Sequence, residues 1–337
     1  DNSALAVVLD VAANSQLTAA GALALSGSVA GLDQSLTVDA GGAMSLGGLG
    51  VSGNLDIRKS GAISQTGALS VGGTTSIVTT KADVNLGFSS NDFVRAVTVS
   101  GAAVTLRDAN SLQLSLTASG TSSVSAGGAL EATAAIGASG SLANLSLTSG
   151  AVTVLGAIDV KGDFALTSAG SVTQTSSATL KSTGTSSVAA SGQRVVLANS
   201  GNDFGGALSL VSAGVTLRDE SALTVTMTTT GAASISALGS LSMSGSVQGG
   251  DLTATSGGTT IFGASDWKQG LTLSSAGAVS QGNNPILVGG PVSITAVGQS
   301  VSLAHAENRF AGTVVVNSGA VNLTDSDSTG LQLTINA

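Results

Sequence analysis

The stretch SGNDFGGALSLVSAGVTLRD, residues 200–219, decides the fold, because the chain writes it three times. It recurs as SSNDFVRAVTVSGAAVTLRD at 89–108 and as AENRFAGTVVVNSGAVNLTD at 306–325. The anchors Phe93, Phe204 and Phe310 and the closing acids Asp108, Asp219 and Asp325 share the same two spacings, 111 residues and then 106. A second marker reads ISQT at 63–66, VTQT at 172–175 and VSQG at 279–282. It sets Gln65, Gln174 and Gln281 at nearly the same spacing. Two markers at one period define superrepeats 1–107, 108–218 and 219–324, with a fourth opening at 325–337. Self-similarity at a fixed period is the signature of a repeat architecture. Asp1 to Leu5 aligns with Asp108 to Leu112, so the chain starts and stops at one phase and reads as a piece of a longer array.

A shorter beat runs inside each superrepeat. In the second copy, apolar residues alternate at Leu112/Leu114, Leu145/Leu147, Phe164/Leu166, Val195/Leu197 and Leu208/Leu210, with single apolar positions such as Ile136 and Val172 between them. Alternation at every second residue is the mark of a half-buried strand, and these segments fall about seven residues apart. Gly, Ser, Asn and Asp separate them, as turns require. Strands this short cannot stand alone. Three to a turn, they make a coil of about 22 residues, and each strand pairs with its equivalent one turn away. The expected fold is therefore all-β: a parallel β-helix of about 15 coils, one continuous solenoid over residues 1–337. Small residues fit a narrow interior. Only two prolines, Pro285 and Pro291, interrupt the supply of backbone N–H donors.

Composition narrows the function. The chain has 11 Lys+Arg against 19 Asp+Glu, a net charge of -8. It lacks the basic footprint with which proteins neutralise nucleic-acid phosphates or anionic membrane surfaces, so no nucleic-acid partner is expected. No apolar run approaches the length of a membrane span, so no membrane insertion is expected either. With no Cys, no Tyr and one His, the usual residues of thiol, acid–base and metal chemistry are missing. No cofactor, metal site or catalytic residue is expected.

The segments GAISQTGALSVGGTT (61–75), NDFGGALSLVSAGVTLRD (202–219) and AGGALEA (126–132) resemble the haemagglutinin-like β-strand repeats of filamentous-haemagglutinin-type proteins. These are large secreted adhesins of Gram-negative bacteria. The resemblance covers essentially the whole chain. It implies a right-handed parallel β-helix shaft at the cell surface, exported by two-partner secretion with an outer-membrane secretion partner. It also implies that other parts of the parent protein hold the receptor, on a host or bacterial surface. The secretion-domain motifs of the family are missing; Asn284-Pro285-Ile286-Leu287 lies inside a repeat and does not match them.

Candidate residues are weighed by their recurrence. An acid found at the same phase of every superrepeat, as at Asp108, Asp219 and Asp325, serves the repeat; Asp and Asn bond their own backbone in such turns. Phe93, Phe204 and Phe310 are read as plugs of the interior beside an Asn-Asp corner, which becomes Asn308-Arg309 in the third copy. His305 aligns with Asn199 and Phe88 and reads as an exposed turn residue. Trp267 falls in a column with Val160 and Val51. It reads first as a packing residue and second as an exposed contact, since Trp is a frequent interface platform. The leading expectation is a rod or stalk that spaces a distal binding region from the cell. An alternative is that the segment itself binds a surface glycan or receptor at repeated shallow sites, and a remote one is a polysaccharide-active β-helix enzyme.

Overall fold

A computed structural model describes residues 4–132, 142–327 and 330–336. Ile136 and the opening Asp1 to Ser3 lie outside them. Every regular element among the described residues is a strand. The contacts gather into two compact units, 1–170 and 171–337.

Each unit is a β-solenoid. In unit 1, Leu5–Val11 pairs in parallel with Leu23–Val29, which pairs with Met44–Val51. A second ladder runs through Ser15–Ala19, Leu36–Ala40, Leu55–Ser60 and Thr75–Thr79. In unit 2, Leu208–Asp219 pairs with Ala233–Ala237, then with Leu252–Ser256, Leu271–Ser275 and Val292–Leu303. The parallel β-helix expected from the alternation is the fold found. Its turn is less uniform than a coil of fixed length. Corner bonds between adjacent coils span 18 residues from Ser111 to Ala129 and 23 residues from Thr121 to Asn144. Corners absorb the difference, so superrepeats of equal architecture differ in length.

Alternation sets the two faces. In Leu223–Thr229, Leu223, Val225 and Met227 point inward while Thr224, Thr226 and Thr228 face out. Each inward side chain stacks on its equivalent one coil away, and burial of this column contributes roughly 25 cal/mol per Å² of apolar area. Hydroxyls that enter the interior can pair with each other. Thr153 and Ser168 bond through their side chains at 2.9 Å, and Thr260 and Ser275 repeat the bond at 2.9 Å one superrepeat later. A buried hydroxyl without a partner costs more than it contributes.

Several corners adopt a left-handed backbone, and two kinds of them bear on the repeat. Lys81, Gly192 and Gly298 hold φ of 60°, 72° and 70° at one phase of the three superrepeats and turn the chain through an exposed arch. A side chain has open space there, so the first copy carries Lys at a modest backbone cost. Gly245 has φ 108°, and a Cβ there would strike the Met227 carbonyl of the adjacent coil. That position accepts glycine alone.

Candidate functional site

The two sequence markers meet in space. Asn202 is fully buried, and its amide is bonded on all four sides. Its Oδ1 accepts from Gln174 Nε2 at 2.7 Å and from the Leu180 N–H at 2.9 Å. Its Nδ2 donates to Gln174 Oε1 at 3.0 Å and to the Leu197 carbonyl at 3.0 Å. The side chains of Gln174 and Asn202 thus face each other as a reciprocal amide pair. The pair repeats with Gln65 and Asn91 at 2.8 and 3.1 Å, and with Gln281 and Asn308 at 2.5 and 2.9 Å. Asn91 also holds the Leu69 N–H and the Leu86 carbonyl, and Asn308 holds the Ile286 N–H and the Leu303 carbonyl.

The closing acid completes the node. Asp219 Oδ2 accepts the Phe204 N–H at 2.8 Å, and Oδ1 accepts the Ser221 N–H at 2.8 Å. Asp325 accepts the Phe310 and Asp327 N–H groups at 3.1 Å each, both on Oδ1, and Asp108 Oδ1 accepts the Asn110 N–H at 3.0 Å. The residue after each acid donates its N–H to the carbonyl of the buried Asn: Ala109 to Asn91, Glu220 to Asn202 and Ser326 to Asn308. Gln, Asn and Asp therefore form one polar chain across neighbouring coils. Beside it sits the Phe ring, with Phe93, Phe204 and Phe310 at most 2 % exposed. Phe204→Ala is expected to cost about 3–5 kcal/mol, read from urea unfolding, through lost transfer energy and the cavity left behind.

Burial pushes the Asp108 and Asp219 carboxyls above the usual carboxylate range, against the opposing pull of their N–H donors. The native carboxyls then hold protons to higher pH than the unfolded ones. Stability falls as pH rises through the window between the two values and is greater on its acidic side. The urea midpoint is expected to rise modestly as the pH is lowered from about 7 towards the ordinary carboxylate range near about 4. A falling midpoint would assign the dominant titration to groups outside the node.

The residue after each Asn is the variable member. Asp92 accepts from Asn110 at 3.1 Å and Asp203 from the Ser221 hydroxyl at 2.8 Å, while Arg309 donates to Asp327 at 3.2 Å. The third copy reverses donor and acceptor together, so a contact is kept with the opposite charge at this position.

Trp267 is not an exposed contact. It is 1 % exposed, in register between Val247 and Val288, and its ring and that of Phe262 make a T-shaped contact at 5.3 Å between centroids. Two small Val neighbours in its column leave the volume that the indole fills. Its Nε1–H has no partner among the described residues. Trp267→Val is therefore expected to cost less than Phe204→Ala, under about 2 kcal/mol, because it also removes an unsatisfied buried donor. Urea unfolding of the two variants side by side checks the order. Asp266 and Lys268 on either side form an exposed ion pair at 2.7 Å. His305 is half-buried, and its Nδ1 accepts the Glu307 N–H at 3.2 Å within the turn.

In the sequence, Gln65, Gln174 and Gln281 read as period markers, and their role as partners of the buried Asn goes unseen. The signal is a near-constant offset from Gln to Asn of 26, 28 and 27 residues, a little over one coil.

The parallel ladders and the recurring Gln–Asn–Asp node define a repeat β-solenoid protein. The chain belongs to a family described as repeats of unknown function (DUF5649), which matches residues 33–100, 142–211 and 249–317. Each match holds one Gln marker, so the family unit and the superrepeat share a period. No curated protein and no solved structure matches the chain.

Proposed function

We propose that this chain is a stalk segment of a large bacterial surface adhesin, secreted through an outer-membrane partner, that spaces a distal binding region from the cell. The observation that carries the reading is the recurrence of the node. Each superrepeat rebuilds the same buried Gln–Asn–Asp chain, while the outward residues vary around it. What is held constant from copy to copy is the coil itself. A solenoid built this way gains length by adding neighbours, with stability close to a sum of coil and stacking contributions. The Ser/Thr skin and net charge of -8 limit lateral association. The lack of Cys suits export as an unfolded chain, since no disulfide can form early.

The test uses the parent protein on cells. Variants with one superrepeat removed or duplicated are compared for target binding and for the distance of the binding region from the envelope. The stalk reading expects binding to persist and the distance to change in step with repeat number. Loss of binding by a variant that folds and reaches the surface would place the receptor site within the removed repeat.

A further inference from the structure

One outer groove of unit 2 departs from the repeat. Arg194 follows the exposed arch and occupies the phase of Asp83 in the first superrepeat and Ser300 in the third. It lies in register with Gly214, and the adjoining registers place Ala232 and then Asp251 on the next two coils. Gly214 and Ala232 leave that column almost without side chains. The result is a trough of about 430 Å³, bounded by Arg194 at one end and Asp251 at the other. Three rungs separate them, roughly 14 Å at the usual strand spacing. One wall carries the stacked hydroxyls of Thr216, Ser234 and Thr253.

The same phase of unit 1 is closed. There Thr121 stands where unit 2 has Ala232, and Asn144 stands where it has Asp251. Asn144 Nδ2 donates to Thr121 Oγ1 at 3.1 Å across the space. The backbone bond is common to both units: Asn144 Oδ1 accepts the Asp163 N–H at 2.7 Å and Asp251 Oδ1 accepts the Gly270 N–H at 2.9 Å. The coil therefore needs an acceptor at this corner, and it needs neither an open floor nor a cation. Arg194 and Ala232 are not required by the architecture.

We propose that this trough binds an acidic oligosaccharide lying along the solenoid axis, with a uronate carboxylate on Arg194 and ring hydroxyls on Asp251. Arg194 gives one N–H to Thr216 Oγ1 at 3.3 Å, which orients the guanidinium and leaves its other donors for a planar carboxylate. Asp251 keeps its second oxygen for hydroxyl donors. The hydroxyl rungs recur at ~4.8 Å, close to the length of one extended pyranose unit, so each sugar meets one rung. No aromatic platform lines the trough, so binding is polar, salt-sensitive and modest in affinity. The inference does not rest on the stalk reading.

The probe is trigalacturonic acid, titrated into the full chain by calorimetry or amide chemical shifts, with its methyl ester as the neutral comparison. Two variants use residues that sister copies already carry, Arg194→Ser and Ala232→Thr, and both are expected to melt as the parent chain does. Each should weaken trigalacturonate binding by about tenfold or more. Arg107→Ser, in unit 1, should change it less than about twofold, as expected for a site elsewhere. Absence of trigalacturonate binding, equal binding of the methyl ester, or unchanged affinity in Ala232→Thr would each overturn the proposal.

Discussion

Asn202→Ala is expected to cost about 3–5 kcal/mol, because it strands polar groups that have no route to water. Gln174 loses the amide that faces its own and keeps only the Ala178 carbonyl for Nε2, the Leu180 N–H loses its acceptor, and the Leu197 carbonyl loses its donor. Asn202→Asp is expected to be at least as damaging near neutral pH, although it changes a single atom. A carboxylate oxygen would take the place of Nδ2, facing two acceptors in a site with no exposure. Burial and those acceptors would hold the new carboxyl's pKa above its unfolded value. The penalty is therefore fullest at pH above that raised value and is relieved as the pH falls, when the protonated acid donates again. Urea unfolding at about pH 7 and about pH 5 reads both the size and the sign. Gln174→Ala added to Asn202→Ala should cost little more, since both act on one pair. Additive losses would show that the two amides are independent.

That node also marks where sequence reading stops. Alternation, turn residues and the superrepeat lie along the chain in one dimension, so strands and fold class are read directly. Which Gln meets which Asn depends on summed coil lengths, and coils of 18 residues and of 23 residues both occur. A one-residue error in that sum turns a side chain to the other face. The burial of Trp267 is open in the sequence for a related reason. A Val column permits a Trp only where both stacked neighbours stay small, and that requires the register with Val247 and Val288. The Arg194 trough is out of reach altogether. Arg194, Ala232 and Asp251 are far apart in sequence, and only the stacking order brings them into one column.

Removing residues 233–251 should leave a folded unit 2, whereas removing only 233–241 should abolish its cooperative folding. The longer deletion takes out one whole turn, because Ala233 is in register with Leu252. Ala232 then joins Leu252. Leu252, Ala254 and Ser256 come to lie under Val215, Leu217 and Asp219, so inward columns stay inward. The parallel strand is lost as well: Thr260 to Phe262 can take the places of Leu241 to Met243 against Leu223–Thr229, and Ser265 to Trp267 those of Gly245 to Val247, with the one extra residue held at a bulge. Coupling runs only between neighbouring coils, so the loss is one coil and its two interfaces, replaced by one new interface. The circular-dichroism spectrum should remain all-β, and melting should remain cooperative. The shorter deletion joins Ala232 to Ser242. Ser242 and Ser244 then take the inward positions of Ala233 and Ile235, and Met243 turns outward. The segment also ends half a turn early, so every later corner residue arrives in a strand column. Buried serines without partners and an exposed apolar row penalise each following coil, and a stack of parallel ladders has no slack with which to recover register. A non-cooperative melt or insoluble protein is expected. A cooperative all-β melt from the shorter deletion would show that the corners can absorb half a turn, and that register is not what holds unit 2 together.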